Sequence, residues 1–195
     1  MKLVTNSGAQ RLIDLVKLWL EPGKRADLVS SCLSLFAYSE IMAEVSKLDR
    51  VQLLLPPTSS DLGLLGTSAD RGARGALQMR WLAARCAQWL AEKVELRRAT
   101  GPVPQGALIV RNLDGQPQHA VLGSFSLSTD GLGITPGNPL SLIQASETPA
   151  DSMFLSQWFD TQWRALPSSQ TGKGMLLQTL RRLAAHHSPV EIYAL

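Results

Sequence analysis

Histidines and cysteines, the side chains best suited to nucleophilic attack and metal binding, are few in this chain. Its three histidines are His119, His186 and His187, so none lies between Met1 and Gln118. His119 precedes a strand-like apolar run, where a histidine is ordinarily exposed or hydrogen-bonded at the strand end. His186 and His187 close a helical stretch with no third ligand nearby; favourable charge at a helix C-terminus accounts for them better than a metal site. Cys32 and Cys86 are widely separated in apolar surroundings and read as buried, reduced thiols of a cytoplasmic protein. Ser169-Gln170-Thr171-Gly172-Lys173-Gly174 is similar to a phosphate-binding loop. It lacks the leading glycine and the hydroxyl after the lysine, and no strand precedes it. No metal and no cofactor is expected.

The formal charge of +3 and pI near 9.1 permit an acidic partner without requiring one. Arginines cluster at Arg71, Arg74, Arg80 and Arg85, at Arg97 and Arg98, and at Arg181 and Arg182. Solvated helix faces and strand ends are the simple account of them; the electrostatic footprint of nucleic acid is the functional one. Of five tryptophans, Trp19, Trp89 and Trp158 fall on apolar stripes expected in the core, whereas Trp81 and Trp163 fall off them as contact residues. No apolar run approaches the roughly 20 residues needed to span a bilayer, and the first residues lack a signal-peptide stretch. A chain of 195 residues with 45% hydrophobic content suffices for one well-packed core.

The elements that must position these groups follow from periodicity. Residues 3–5 read as a short strand and 7–20 as a helix with Leu12, Val16 and Trp19 on one face. Residues 26–36 and 51–55 read as strands, with a helix over 39–48 between them. A Ser-, Thr-, Gly- and Pro-rich loop over 57–69 leads into a long helix over 70–93, whose core face is Met79, Leu82, Cys86 and Trp89. Short strands over 94–99, 107–111, 119–127 and 140–145 follow, separated by Gly, Pro and Asn turns. Thr148-Pro149-Ala150-Asp151 starts a helix carrying Phe154, Trp158 and Phe159, and a last helix carries Leu176, Leu177, Leu180 and Leu183. Alternating strands and helices followed mostly by strands predict an α/β fold: a mixed β-sheet flanked by helices, in a single domain.

Ala120-Val121-Leu122-Gly123-Ser124-Phe125-Ser126-Leu127-Ser128, with Gly131-Leu132 after it, resembles the Gly-Ser-x-Asn strand and turn of the phospholipase D-like nucleases. Trp158-Phe159-Asp160-Thr161-Gln162-Trp163 resembles the Phe-Asp/Glu-x-x-Trp helix downstream of it. The Thr5-Asn6-Ser7 opening, Asp27-Leu28-Val29-Ser30 and the closing Ser188-Pro189-Val190-Glu191-Ile192-Tyr193 are similar to versions of that domain attached to bacterial superfamily-two helicases in defence loci. The resemblance implies a phospholipase D-like fold over 1–166 and a helical extension over 167–195.

It also implies chemistry that these residues do not support. The family attacks phosphorus with a histidine and holds phosphate charge with lysine, in a His-x-Lys strand with an aspartate further on. Alignment on the Gly-Ser turn puts Gln105 at the histidine, Ala107 at the lysine and Asn112 at the aspartate, while Ser126 replaces the turn asparagine. Glutamine forms no phosphoramidate, and alanine neutralises no charge. The expectation is a catalytically inactive module that binds DNA as accessory to a helicase or nuclease subunit, in bacterial antiviral defence. Ser124, Ser126 and Ser128 would hydrogen-bond phosphate in the vestigial groove. Arg97, Arg98, Arg111 and His119 would complete the contact surface. The alternatives are a protein scaffold within a multi-protein complex, including a homodimer through the former catalytic face, and a hydrolase using other residues. No membrane association is expected.

Overall fold

The computed structural model describes residues 1–8, 10–60, 62–66, 70 and 76–185. Arg71, Arg74, His186, His187 and the closing segment 188–193 lie outside them. Seven strands form one mixed sheet: β1 (Lys2–Val4), β2 (Arg25–Val29), β3 (Arg50–Leu55), β4 (Val94–Arg98), β5 (Gly106–Arg111), β6 (Pro117–Gly123) and β7 (Ile143–Ala145). Five helices cover it: α1 (Leu12–Trp19), α2 (Leu35–Val45), α3 (Ala76–Lys93), α4 (Pro149–Ala165) and α5 (Gln170–Ala185).

The strand order is β1-β7-β6-β5-β2-β3-β4. β2, β3 and β4 are parallel, because α2 and α3 provide the long crossovers that parallel neighbours need. The β5–β6, β6–β7 and β7–β1 pairs are antiparallel, and so is the β2–β5 pair that joins the two halves. The α/β class and the mixed sheet follow the sequence reading.

Alternation along the strands divides the interior in two. Leu28, Leu53, Leu96, Leu108 and Val121 face the larger core, which α1, α2, α3 and α5 close with residues such as Val16, Phe36, Leu90 and Leu180. Val29, Leu54, Ala107, Ile109 and Ala120 face a smaller one, where Phe159 and Trp163 of α4 pack. α5 lies along α3 and puts Leu176 and Leu180 into the larger core.

Several sequence expectations change. The run expected as strand to residue 36 ends at Val29, and α2 starts at Leu35 on the Ser34 hydroxyl, which accepts from the Phe36 amide at 3.2 Å. Leu33, Leu35 and Phe36 are buried in either state, and a short apolar run does not tell strand from helix. Strands expected over 119–127 and 140–145 shorten to β6 and β7. Trp158 is 44% exposed rather than core, and Trp163 is 6% exposed rather than a surface contact. The buried stripe of α4 is Ser152, Ser156, Phe159 and Trp163, which carries Trp158 round to the rim. Trp81 is exposed, and Trp19 and Trp89 are buried, as expected. Cys86 is fully buried, and burial pushes its thiol up to about 12; Cys32 is only half-buried.

Candidate functional site

Chain termini of β2, β3 and β4 and the start of β5 meet at one edge of the sheet, the edge where open α/β sheets form their crevices. Two adjoining recesses occupy it, sharing Pro104 in their walls.

The polar recess, of about 630 Å³, is walled by the Thr5–Gly8 loop, Ser31, the Ser124–Ser126 turn and residues 130–141. Gly123 makes its turn possible: it has φ 154, and a Cβ there would overlap the Leu142 carbonyl and Ile143 Cα. The Ser124 amide then donates to the Leu142 carbonyl at 2.9 Å, leaving the exposed side chain over the recess. The N-terminal wall is fixed by Asn6, whose Oδ1 accepts from the Leu12 amide (2.9 Å) and whose Nδ2 donates to the Gly131 carbonyl (2.9 Å). Ser126 and Ser128 hydroxyls lie 3.0 Å apart, and Ser128 Oγ accepts from the Gly131 amide at 3.0 Å. Beneath them Ser30 Oγ accepts from the Leu127 amide (2.8 Å) and donates to the Cys32 carbonyl (2.7 Å), tying the turn to the end of β2. Ser124 and Ser126 therefore line the recess, whereas Ser128 braces its floor. Asp130 is the charged side chain among the described lining residues.

The apolar recess, of about 560 Å³, opens on the smaller-core face between the sheet and α4. Ala107 and Leu122 are its floor, Leu155 and Trp158 one wall, and Pro102–Gln105 the other. Gln105 is exposed at its mouth and Ala107 is fully buried. Gln105 and Ala107 therefore border an apolar cleft. Asn112 lies at the opposite end of β5, where its Oδ1 accepts from the Gln116 amide (2.8 Å) and closes the β5–β6 hairpin.

The remaining residues singled out from the sequence are turned inward. Arg111 Nε donates to Asp27 (2.5 Å) and its Nη2 to Asp160 (2.7 Å), with Arg111 13% and Asp27 4% exposed. Burial pushes the Asp27 carboxyl up to about 6 despite the neighbouring guanidinium. With its amide oriented to suit its neighbours, Gln52 donates to Asp27 (3.1 Å) and accepts from Trp163 Nε1 (2.9 Å). Arg97 donates to the Trp163 and Leu166 carbonyls at the end of α4 and lies 4.7 Å from the Trp163 ring centre. Arg98 donates to the Pro56 carbonyl (3.1 Å), and burial lowers its pKa. These three arginines hold the fold together and line neither recess. That corrects their expected place on an open contact surface, and their partners, up to 84 residues away in sequence, explain the miss.

His119 stacks on Trp19 with ring centres 4.9 Å apart, on the larger-core side of β6. Burial lowers its pKa, with Lys24 acting in the same direction. It borders neither recess. Among the described residues no group of three metal-binding side chains is assembled, and no helix is long and apolar enough to cross a membrane. Sequence reasoning missed the apolar recess. Its signal was the run Gly101-Pro102-Val103-Pro104, a rigid loop before β5.

No family model matches the chain, and no curated protein matches it. Among solved structures it is similar to that of TrmBL2, described as an archaeal chromatin protein whose structure shows a novel mode of DNA binding. The TM-score is 0.45 at 15% identity, over 81% of this chain and 52% of the other. The chain thus spans about half the length of that protein's.

Proposed function

We propose that this chain is a non-catalytic phospholipase D-like module that binds the sugar–phosphate strand of DNA in the polar recess. It would serve as accessory to a helicase or nuclease subunit, in the bacterial antiviral setting that its sequence resemblance suggests. The observation that carries the reading is the convergence of Ser124, Ser126 and the Thr5–Gly8 loop on one open hydroxyl-lined recess. Hydroxyls, side-chain amides and backbone N–H groups are common phosphate partners and fix a strand without reading its sequence. With glutamine and alanine at positions 105 and 107, the chain lacks at those positions the nucleophile and the lysine that hydrolysis in that family needs.

Asp130 makes the reading testable. A phosphate seated there is repelled by this carboxylate, so Asp130→Asn tightens binding several-fold at low salt. Labelled oligonucleotides titrated across a salt series measure this, and the same tubes report cleavage. Because hydroxyls rather than lysines or arginines meet the strand, the salt slope should be shallow, below that of one neutralised phosphate. Absence of binding by either protein at low salt refutes strand binding, and cleavage refutes the non-catalytic assignment.

A protein scaffold is favoured by a separate observation. β1 is an edge strand, and Leu3, Leu140 and Leu142 beside it are 52%, 87% and 56% exposed. An unpaired edge flanked by apolar side chains invites strand addition by a second copy or another protein. Light scattering of the full chain and of Leu140→Glu tests it: a monomer in both cases, with no partner retained, removes this reading.

A further inference from the structure

The apolar recess has no part in the strand reading above, yet it adjoins the polar one through Pro104. Among its described lining residues there is no charged side chain, which disfavours a phosphate, a cation or an ionised peptide as its occupant. It offers an apolar floor of Ala107 and Leu122 and an indole, Trp158, that remains 44% exposed. At its mouth stand two neutral amides, Gln105 and Gln162, both exposed. A volume of about 560 Å³ lies within the range of small-ligand pockets and accommodates one flat heterocycle. Indole for stacking, amides that both donate and accept, and no charge are complementary to a nucleobase. The alanine is decisive in this arrangement, because a lysine at 107 would put an ammonium on the floor of the cleft.

We propose that the cleft takes one unpaired nucleobase, stacked on Trp158 with its edge against Gln105 and Gln162, while the adjoining phosphate lies against Ser124 and Ser126. The inference rests on the strand-binding reading and adds to it a preference for single-stranded over duplex DNA. A paired base is not available to the cleft without being unstacked.

The test is fluorescence anisotropy of the full chain with three labelled probes: a single-stranded oligonucleotide, an abasic strand of equal length, and the corresponding duplex. The wild type should bind the single strand about tenfold or more tightly than the abasic strand, the range expected for one stacked base. Trp158→Ala should reduce the single strand to the abasic level and leave abasic binding unchanged, while Trp158→Phe retains most of the difference. If Trp158→Ala fails to fold, the Gln105→Ala/Gln162→Ala double variant makes the same comparison from the exposed mouth. Equal binding of single and abasic strands by the wild type overturns the base pocket and leaves strand binding standing. Equal or tighter binding of the duplex also overturns it. Binding of none of the probes overturns both.

Discussion

The two faces of the sheet solve the same burial problem with different means. One is covered by four helices, and its core is almost wholly aliphatic and aromatic. Among the described residues the other is covered by α4 alone, whose packing residues include Phe159 and Trp163. On one flank of that helix a polar cluster joins Asp27, Arg111, Asp160 and Gln52; on another the apolar cleft stays open. A single helix cannot shield seven strands, so hydrogen-bonded charge does part of the work that packing does opposite. Of the charges which a sequence reading assigns to a ligand, Arg97 and Arg111 therefore hold the lone helix over its cleft.

The strongest way to break this comparison is to remove Arg111. Arg111→Ala leaves Asp27, 4% exposed, without its guanidinium partner, and breaking a buried pair on one side costs about 3–5 kcal/mol. Arg25, on the same strand as Asp27, makes an exposed pair to Asp49, and Arg25→Ala should cost under about 1 kcal/mol. Urea denaturation of both variants checks the contrast. Equal, small losses would mean that the polar cluster does not hold α4.

Asp27 sharpens the comparison through pH. Its ordinary value is 3.8, and burial raises it to about 6 in the folded protein. Between these values the folded chain binds more protons than the unfolded one, so stability is greatest below about 4 and falls as pH rises through 6. The change is on the order of 3 kcal/mol. The measurement is the pH dependence of unfolding of wild type minus that of Asp27→Asn, which cancels exposed carboxylates of opposite sign such as Asp14 and Asp151. A flat difference curve would place the Asp27 carboxyl near its ordinary value.

How much of this was legible from the chain alone depended on the range of the interaction. β3 reads directly from an apolar run closed by Pro56-Pro57, and α4 reads from Thr148 and Asp151, because caps and breakers act within a few residues. The exchange of Trp158 and Trp163 between rim and core did not read, since the spacing put Trp158 on the apolar stripe and Trp163 off it, and only the sheet beneath decides which one is used. The turn at Gly123–Ser126 was singled out in the sequence, whereas the exposure of Gln105 ahead of β5 was not. Nor was the inward place of Arg111, because Asp27 and Asp160 stand 84 and 49 residues from it. The apolar cleft arises from five separate segments, of which only the Gly101–Pro104 loop leaves a local pattern.

The smallest effect tests whether the two ends of α4 are independent. Thr148 Oγ1 accepts from the Asp151 amide at 3.2 Å, and the Asp151 carboxylate accepts in return from the Thr148 amide at 3.3 Å. Thr148→Ala removes one half of this capping box and should cost about 1 kcal/mol in thermal unfolding. The cleft is bounded by Leu155, Trp158, Gln162 and Leu166, later on the same helix. Phe159 and Trp163 pin that half to the sheet whether or not the first turn frays. Single-strand binding by Thr148→Ala should therefore equal that of the wild type. A matching loss of binding would mean that the first turn sets the position of Trp158, and that the helix moves on the sheet as one piece.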